Sequence, residues 1–173
     1  EVSVRDGKVD KISEATTRRL SIQLYVDGRY SAVSTSDLRS DALSVFIDNA
    51  IALTRALAPD PFRSLADPSL YKGQASVDLQ LADPAYSSLS AVDRRKAALA
   101  METAARSVKG SEAILSVTAA TSDSLTERFR VHSNGFEGGS QETVFSPEVT
   151  VSIKDGDGRR PEDYEYAVRR YQA

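Results

Sequence analysis

The residue pattern predicts an α+β fold with mainly antiparallel sheets, formed by two β-meanders with two packed α-helices. Three observations carry it. Period-2 apolar runs separated by Asp-Gly turns open the chain, two stretches have helical spacing, and β alternation resumes in the last third. No crossover helix of regular βαβ spacing recurs, which argues against a parallel sheet.

Val2 and Val4 alternate with polar residues, Asp6-Gly7 turns the chain, and Lys8 to Glu14 returns. Leu20, Ile22, Leu24 and Val26 form the cleanest alternation, turned by Asp27-Gly28 into Arg29 to Val33. Asp-Gly suits such turns because both central residues need positive φ, free for Gly and tolerable for Asp. The first third therefore reads as one antiparallel meander. Ser34 to Asp37 offer several N-cap oxygens for a helix carrying Leu43, Phe46, Ile47, Ala50, Leu53 and Leu57, ended by Pro59.

Residues 59–89 hold four of the six prolines, three of them in Asp-Pro steps at Asp60, Asp67 and Asp83. Phe62, Leu65, Leu70, Tyr71, Leu79, Leu81 and Tyr86 are expected to anchor this connector. Ser90, with Asp93 three residues on, forms a capping box for a second helix over Ala91 to Val108, closed by Lys109-Gly110. Its apolar face is thin, with Val92, Leu99 and several alanines, and suits close packing on a sheet. Strands follow around Leu115–Ala119, Phe129–Val131, Val149–Ile153 and Tyr164–Val168. The expected turns are Thr121-Ser122-Asp123, Ser133-Asn134-Gly135, Glu137-Gly138-Gly139 and Asp155-Gly156-Asp157-Gly158. The domain reading is a single α+β domain over 1–173, with lobes 1–58 and 90–173 joined by the Pro-rich connector 59–89. Because β pattern runs from the first residues almost to the last, the chain reads as part of a longer protein.

Composition excludes most site chemistry. With one histidine and no cysteine in 173 residues, His132 cannot assemble a zinc site alone, and a Cys nucleophile is impossible. The net charge of −3 gives no general attraction to phosphate backbones, so nucleic acid is not an expected partner. No stretch of about 18 apolar residues exists, so no membrane role is expected, and the lack of cysteine fits a cytoplasmic setting. Each remaining candidate has a plain reading. Asp155-Gly-Asp157-Gly lacks the third carboxylate and later Glu of a calcium loop and reads as a hairpin turn. His132 reads as a turn histidine, and Asn134-Gly135 as a turn pair. Arg159-Arg160 and Arg169-Arg170, set among acids, read as a solvated face, and Tyr164, Tyr166 and Tyr171 as sheet packing.

The run Val4-Arg-Asp-Gly-Lys-Val9-Asp-Lys-Ile12, then Arg19 to Arg29, Ser34 to Leu38, Asp60-Pro61, Leu65-Ala-Asp-Pro68, Asp83-Pro84 and Ser133-Asn-Gly-Phe136, resembles the TldD/PmbA family. Its members are also called modulators of DNA gyrase and are metallopeptidase-related. Order carries the resemblance, since each motif alone is a turn or packing signature. Ser133 to Phe136 and the Asp83-Pro84 to Ser90 segment resemble the PmbA-like (TldE) branch. The resemblance implies an N-terminal domain without its leading helix and C-terminal domain. It implies zinc only in the C-terminal domain of a TldD-like partner, and no catalytic, cofactor or metal residue carries over to this segment.

Three functions follow. The first is a non-catalytic domain of a TldD/PmbA-type assembly active in peptide processing and proteolysis, helping to enclose a cavity and to pair with a TldD-like subunit or with itself. The second is a hydrolase built on carboxylates such as Glu102, Asp123 or Asp155, which requires two of them at acid–base separation. The third is a stand-alone peptide-binding module using an exposed strand edge, at the Val2 or Tyr164 strand.

Overall fold

The structure is a computed structural model that describes residues 1–73 and 76–172. Gln74 and Ala75 of the connector, and Ala173, lie outside the described residues. The chain forms two compact units: Glu1–Glu14 with Ser76–Val131 and Glu137–Ala173, and Ala15–Ala75 with His132–Phe136. This division differs from lobes 1–58 and 90–173. The reason is long-range pairing, which draws the N-terminal hairpin into the sheet built by the last third of the chain.

The first unit is a five-stranded antiparallel sheet in the order β2-β1-β5-β6-β7. Its strands are β1 (Val2–Arg5), β2 (Lys8–Ile12), β5 (Ile114–Val131), β6 (Glu137–Ile153) and β7 (Glu162–Tyr166). The α+β class holds. The opening meander does not, because β3 (Leu20–Val26) and β4 (Arg29–Thr35) form their own two-stranded sheet. Both Asp-Gly turns form as read, with positive φ at Asp6, Gly7, Asp27 and Gly28. Thr121–Asp123 and Glu137–Gly139 are not turns. They lie inside β5 and β6, which pair continuously from Ile114↔Ile153 to Val131↔Glu137 apart from one irregularity near Ser116. Small and polar residues there are tolerated because one face of the sheet is polar and partly solvated, through Thr118, Ala120, Ser122, Ser146, Glu148 and Thr150.

Helix α2 (Ala91–Arg106) covers the other face. Its capping box is formed: Ser90 Oγ accepts from the Asp93 backbone N–H, and Asp93 accepts from the Ser90 N–H. The helix stops before Val108, with Ser107 as C-cap, and Gly110 instead leads into a short 3₁₀ turn. Across the strands, Val9, Val4, Ala119, Val149 and Glu165 are successive neighbours. Val4, Ala119 and Ala98 of α2 are fully buried together, with Leu99, Met101 and Val149 against them. Alanine on both sides of the contact lets the helix backbone approach the sheet closely. Val92, by contrast, is exposed and takes no part in this core.

Pro147 lies within β6 on the side facing the last strand. Its carbonyl accepts from the Ala167 N–H, but it has no N–H to return. The β6–β7 ladder accordingly ends at Tyr166 and resumes only as a bridge between Phe145 and Arg169.

In the second unit, α1 (Ser40–Arg55) packs on the β3–β4 hairpin. Ser31 and Thr54 meet at 2.6 Å in its interior, where the Thr54 hydroxyl also donates to the Ala50 carbonyl. Ser34 to Asp37 do not cap α1: its N-cap is Arg39, without a side-chain bond. Thr35 and Asp37 instead accept the Asp37 and Arg39 N–H groups, shaping the approach to the helix. Leu53 and Leu57 are exposed, so the stripe is buried only in part. In the connector, Leu65, Tyr71, Leu81 and Tyr86 are partly buried, while Phe62, Leu70 and Leu79 are exposed and anchor nothing.

The first hairpin is fastened at its turn. Glu102, 5% exposed on α2, accepts the Gly7 N–H on both carboxylate oxygens at 2.9 Å. Arg106 holds both Glu102 and Asp6, and Asp6 also accepts from Ser116 and the Val117 N–H. These bonds, the Val117 N–H foremost, keep the Asp6 carboxyl below its ordinary pKa. Glu102→Ala is expected to cost about 1–3 kcal/mol by orphaning the Gly7 N–H. Chemical denaturation with hydrogen exchange at Gly7 checks this, and unchanged protection there would refute the fastening role.

Candidate functional site

A groove of about 520 Å³ borders α2 on the sheet, floored by Val149 and Val151. Met101, Ala104, Ala105 and Val108 wall it on the helix side, and Asp163, Tyr164 and Glu165 line its β7 side. A smaller cavity of about 160 Å³ shares Met101 and is lined by Leu89, Ala97, Phe145, Pro147 and Tyr171. Small helix residues opposite the valines create the space.

Beside the smaller cavity lies a charged cluster absent from the sequence reading. Arg94 reaches Asp123 twice, at 2.5 and 2.6 Å, and donates to the Leu89 carbonyl. The Tyr86 hydroxyl donates to Asp123 at 3.0 Å. The Asp123 side chain is only 5% exposed, and that burial pushes its carboxyl up. Arg94 and Tyr86 outweigh burial and hold it below the ordinary carboxylate range. Burial first, and then the Asp123 carboxylate, push the Tyr86 hydroxyl up, so it stays a donor. Mistaking Thr121–Asp123 for a turn hid this cluster. The usable signal was an Asp at an inward register within an otherwise alternating strand.

The structure scatters the other candidates. His132 is half-buried in the second unit, with Nδ1 3.0 Å from the Tyr71 hydroxyl and its ring against Tyr71 and Phe136. The Asp155–Gly158 segment is a turn neutralised from within, since Arg159 contacts both Asp155 and Asp157. Arg170 pairs with Glu142, which Arg128 also holds. Tyr164 and Tyr166 stack at 6.2 Å, yet both are exposed on the edge strand and are not buried sheet packing. Val2 is not on an edge, because β1 lies between β2 and β5.

Glu102 and Asp123 are each bonded to an arginine, Glu102 also to the Gly7 N–H and Asp123 also to the Tyr86 hydroxyl. Among the described residues no group of three or more His, Cys, Asp or Glu could hold a metal. No described helix is long and apolar enough to cross a membrane.

The first unit is thus an antiparallel sheet under one helix, with an open apolar groove beside that helix. Residues 1–54 match the family model described as PmbA/TldA metallopeptidase domain 1. The chain is 27% identical over 173 residues to Metalloprotease PmbA of Escherichia coli O157:H7, covering 98% of this chain and 36% of that protein. The crystal structure of a putative modulator of DNA gyrase from Bacteroides thetaiotaomicron superposes with a TM-score of 0.87 at 37% identity, over 98% of this chain and 38% of that one. TldE from Thermococcus kodakarensis, at 15% identity and a TM-score of 0.71, shares the fold over 98% of this chain and 37% of its own. The chain is thus similar to PmbA/TldD proteins, in line with the resemblance its motifs carry. It spans little more than a third of the length of these relatives.

The Asp123 shift sets a pH dependence. Its folded pKa is depressed, so its stabilising contribution is present above the unfolded value and is lost as pH falls through the folded one. Asp123→Asn should flatten acid unfolding in that window, followed by circular dichroism. Arg94→Ala should cost about 3 kcal/mol at neutral pH by leaving a buried carboxylate without its cation.

Proposed function

We propose that this chain is a non-catalytic part of a PmbA/TldD-type, metalloprotease-related protein. It contributes an apolar wall for a peptide-handling cavity and a surface for pairing with a TldD-like subunit or a second copy. In this reading hydrolysis and any zinc belong to another domain or subunit, the compartment is the cytoplasm, and nucleic acid plays no part. The observation that carries the proposal is the commitment of the buried carboxylates Asp83, Glu102 and Asp123 to structural bonds, with an open apolar groove alongside α2. The coverage of just over a third of each relative supports it, leaving room for catalytic machinery elsewhere.

The test is a peptide-hydrolysis assay with metal analysis of the chain, together with co-elution with a TldD-like subunit from the same organism. The expected result is no turnover, no stoichiometric metal, and a shift in elution with the subunit. Turnover by the chain alone with bound metal would overturn the proposal.

A stand-alone module capturing peptides at a strand edge is the second reading, and β7 is the edge that favours it. The bridge at Phe145–Arg169 and the Ala167–Pro147 bond place odd-numbered residues toward β6, so Glu162, Tyr164 and Tyr166 turn their backbone groups outward. The edge is also guarded. The Asp163 carboxylate accepts the Tyr164 N–H at 2.9 Å, and three of the five β7 residues are acidic. Asp163→Ala uncovers that donor and removes one charge. Sedimentation of the variant is expected to show increased self-association or peptide uptake at β7, and no change in either would count against this second reading.

A further inference from the structure

We propose that Asn134-Gly135 is a fold-protected deamidation site, whose conversion releases the loop His132–Phe136 from its seat on the Ala66–Tyr71 segment. Asn-Gly is the dipeptide most open to this chemistry, because glycine's hydrogen leaves its backbone nitrogen unhindered. The Gly135 nitrogen attacks Asn134 Cγ, a C–N bond forms, and the side-chain amide leaves as ammonia with the proton from that nitrogen. Water then opens the resulting succinimide at either carbonyl, giving aspartate or isoaspartate.

Three bonds oppose the first step. Asn134 Nδ2 donates to the Ala66 carbonyl at 2.7 Å, fixing the side chain. Asn134 Oδ1 lies 3.3 Å from the Tyr71 hydroxyl. That hydroxyl has one proton, so it serves Asn134 when His132 Nδ1 is itself the donor. The Gly135 N–H donates to the His132 carbonyl at 3.1 Å, which occupies the nitrogen that must attack. Gly135, at φ +99°, is exposed, so water is at hand for the second step. Reaction therefore requires the turn to open first.

The product cannot close again in the same way. An aspartate at 134 offers an oxygen where Nδ2 met the Ala66 carbonyl, and two acceptors face each other without a proton. The aromatic contacts of Phe136 with Tyr71 and His132, at 5.0 and 4.8 Å, depend on the same seating.

The test incubates the native chain, the urea-unfolded chain and a free peptide spanning Val131–Glu137 in mildly alkaline buffer, with site-resolved mass spectrometry. The native chain is expected to deamidate at Asn134 at least about tenfold more slowly than either control. Tyr71→Phe should narrow that gap. In Asn134→Asp, hydrogen exchange at His132 and Gly135 should speed up while Val117 keeps its protection, which separates loop release from global unfolding. A native rate equal to the peptide's, or unchanged exchange in Asn134→Asp, would overturn the proposal.

Discussion

A buried carboxylate must find donors, and the way Glu102 finds them organises the first unit. It sits near the end of α2, 5% exposed, and its acceptors are met by the N–H of a glycine ninety-five residues earlier. Gly7 can present that N–H because the type of turn it occupies needs positive φ, which glycine adopts without a steric penalty. Once the turn is seated, β1 runs beside β5 with Val4 opposite Ala119, and Ala98 closes over both. One local conformation thus fixes a non-local register. A slip by a single residue would turn Val4 to the polar face and strand Glu102 together.

The same logic governs the other edge of the sheet. Proline in β6 removes a donor at the point where a continued ladder would need one, and the last strand is left short and acidic. The chain is nevertheless held beyond the break. Asp83, 9% exposed, accepts from the Gln172 N–H, and the Thr143 hydroxyl bridges the Asp83 N–H and the Arg170 carbonyl. The segment after β7 is therefore fastened by side chains as well as by the Phe145–Arg169 backbone bridge.

Much of this was legible in the residues, and the parts that were not share a cause. Hairpin turns at Asp6-Gly7 and Asp27-Gly28 are local backbone requirements, as is the Ser90–Asp93 box, so spacing alone predicts them. Which hairpin joins which sheet is decided by pairing across more than a hundred residues, and nothing local encodes it. Ser122-Asp123 and Gly138-Gly139 carry turn composition but sit inside strands, because tertiary pairing overrides propensity there. Alternation places Tyr164 on a strand, whereas the bond from its N–H to the Asp163 carboxylate is a matter of side-chain conformation.

Chemistry needs a group whose protonation or charge is free to change, and this chain spends its buried charges otherwise. Arg94 neutralises Asp123, Arg106 neutralises Glu102, and each pair also stitches α2 to a strand or a turn of the sheet. Loosening either carboxylate to make it reactive would unfasten the helix from its sheet. The surfaces left open are the valine floor beside α2 and the tyrosine-bearing edge of β7. On the proposed reading, the open groove holds a segment in place while the acids beside α2 stay locked in structural bonds.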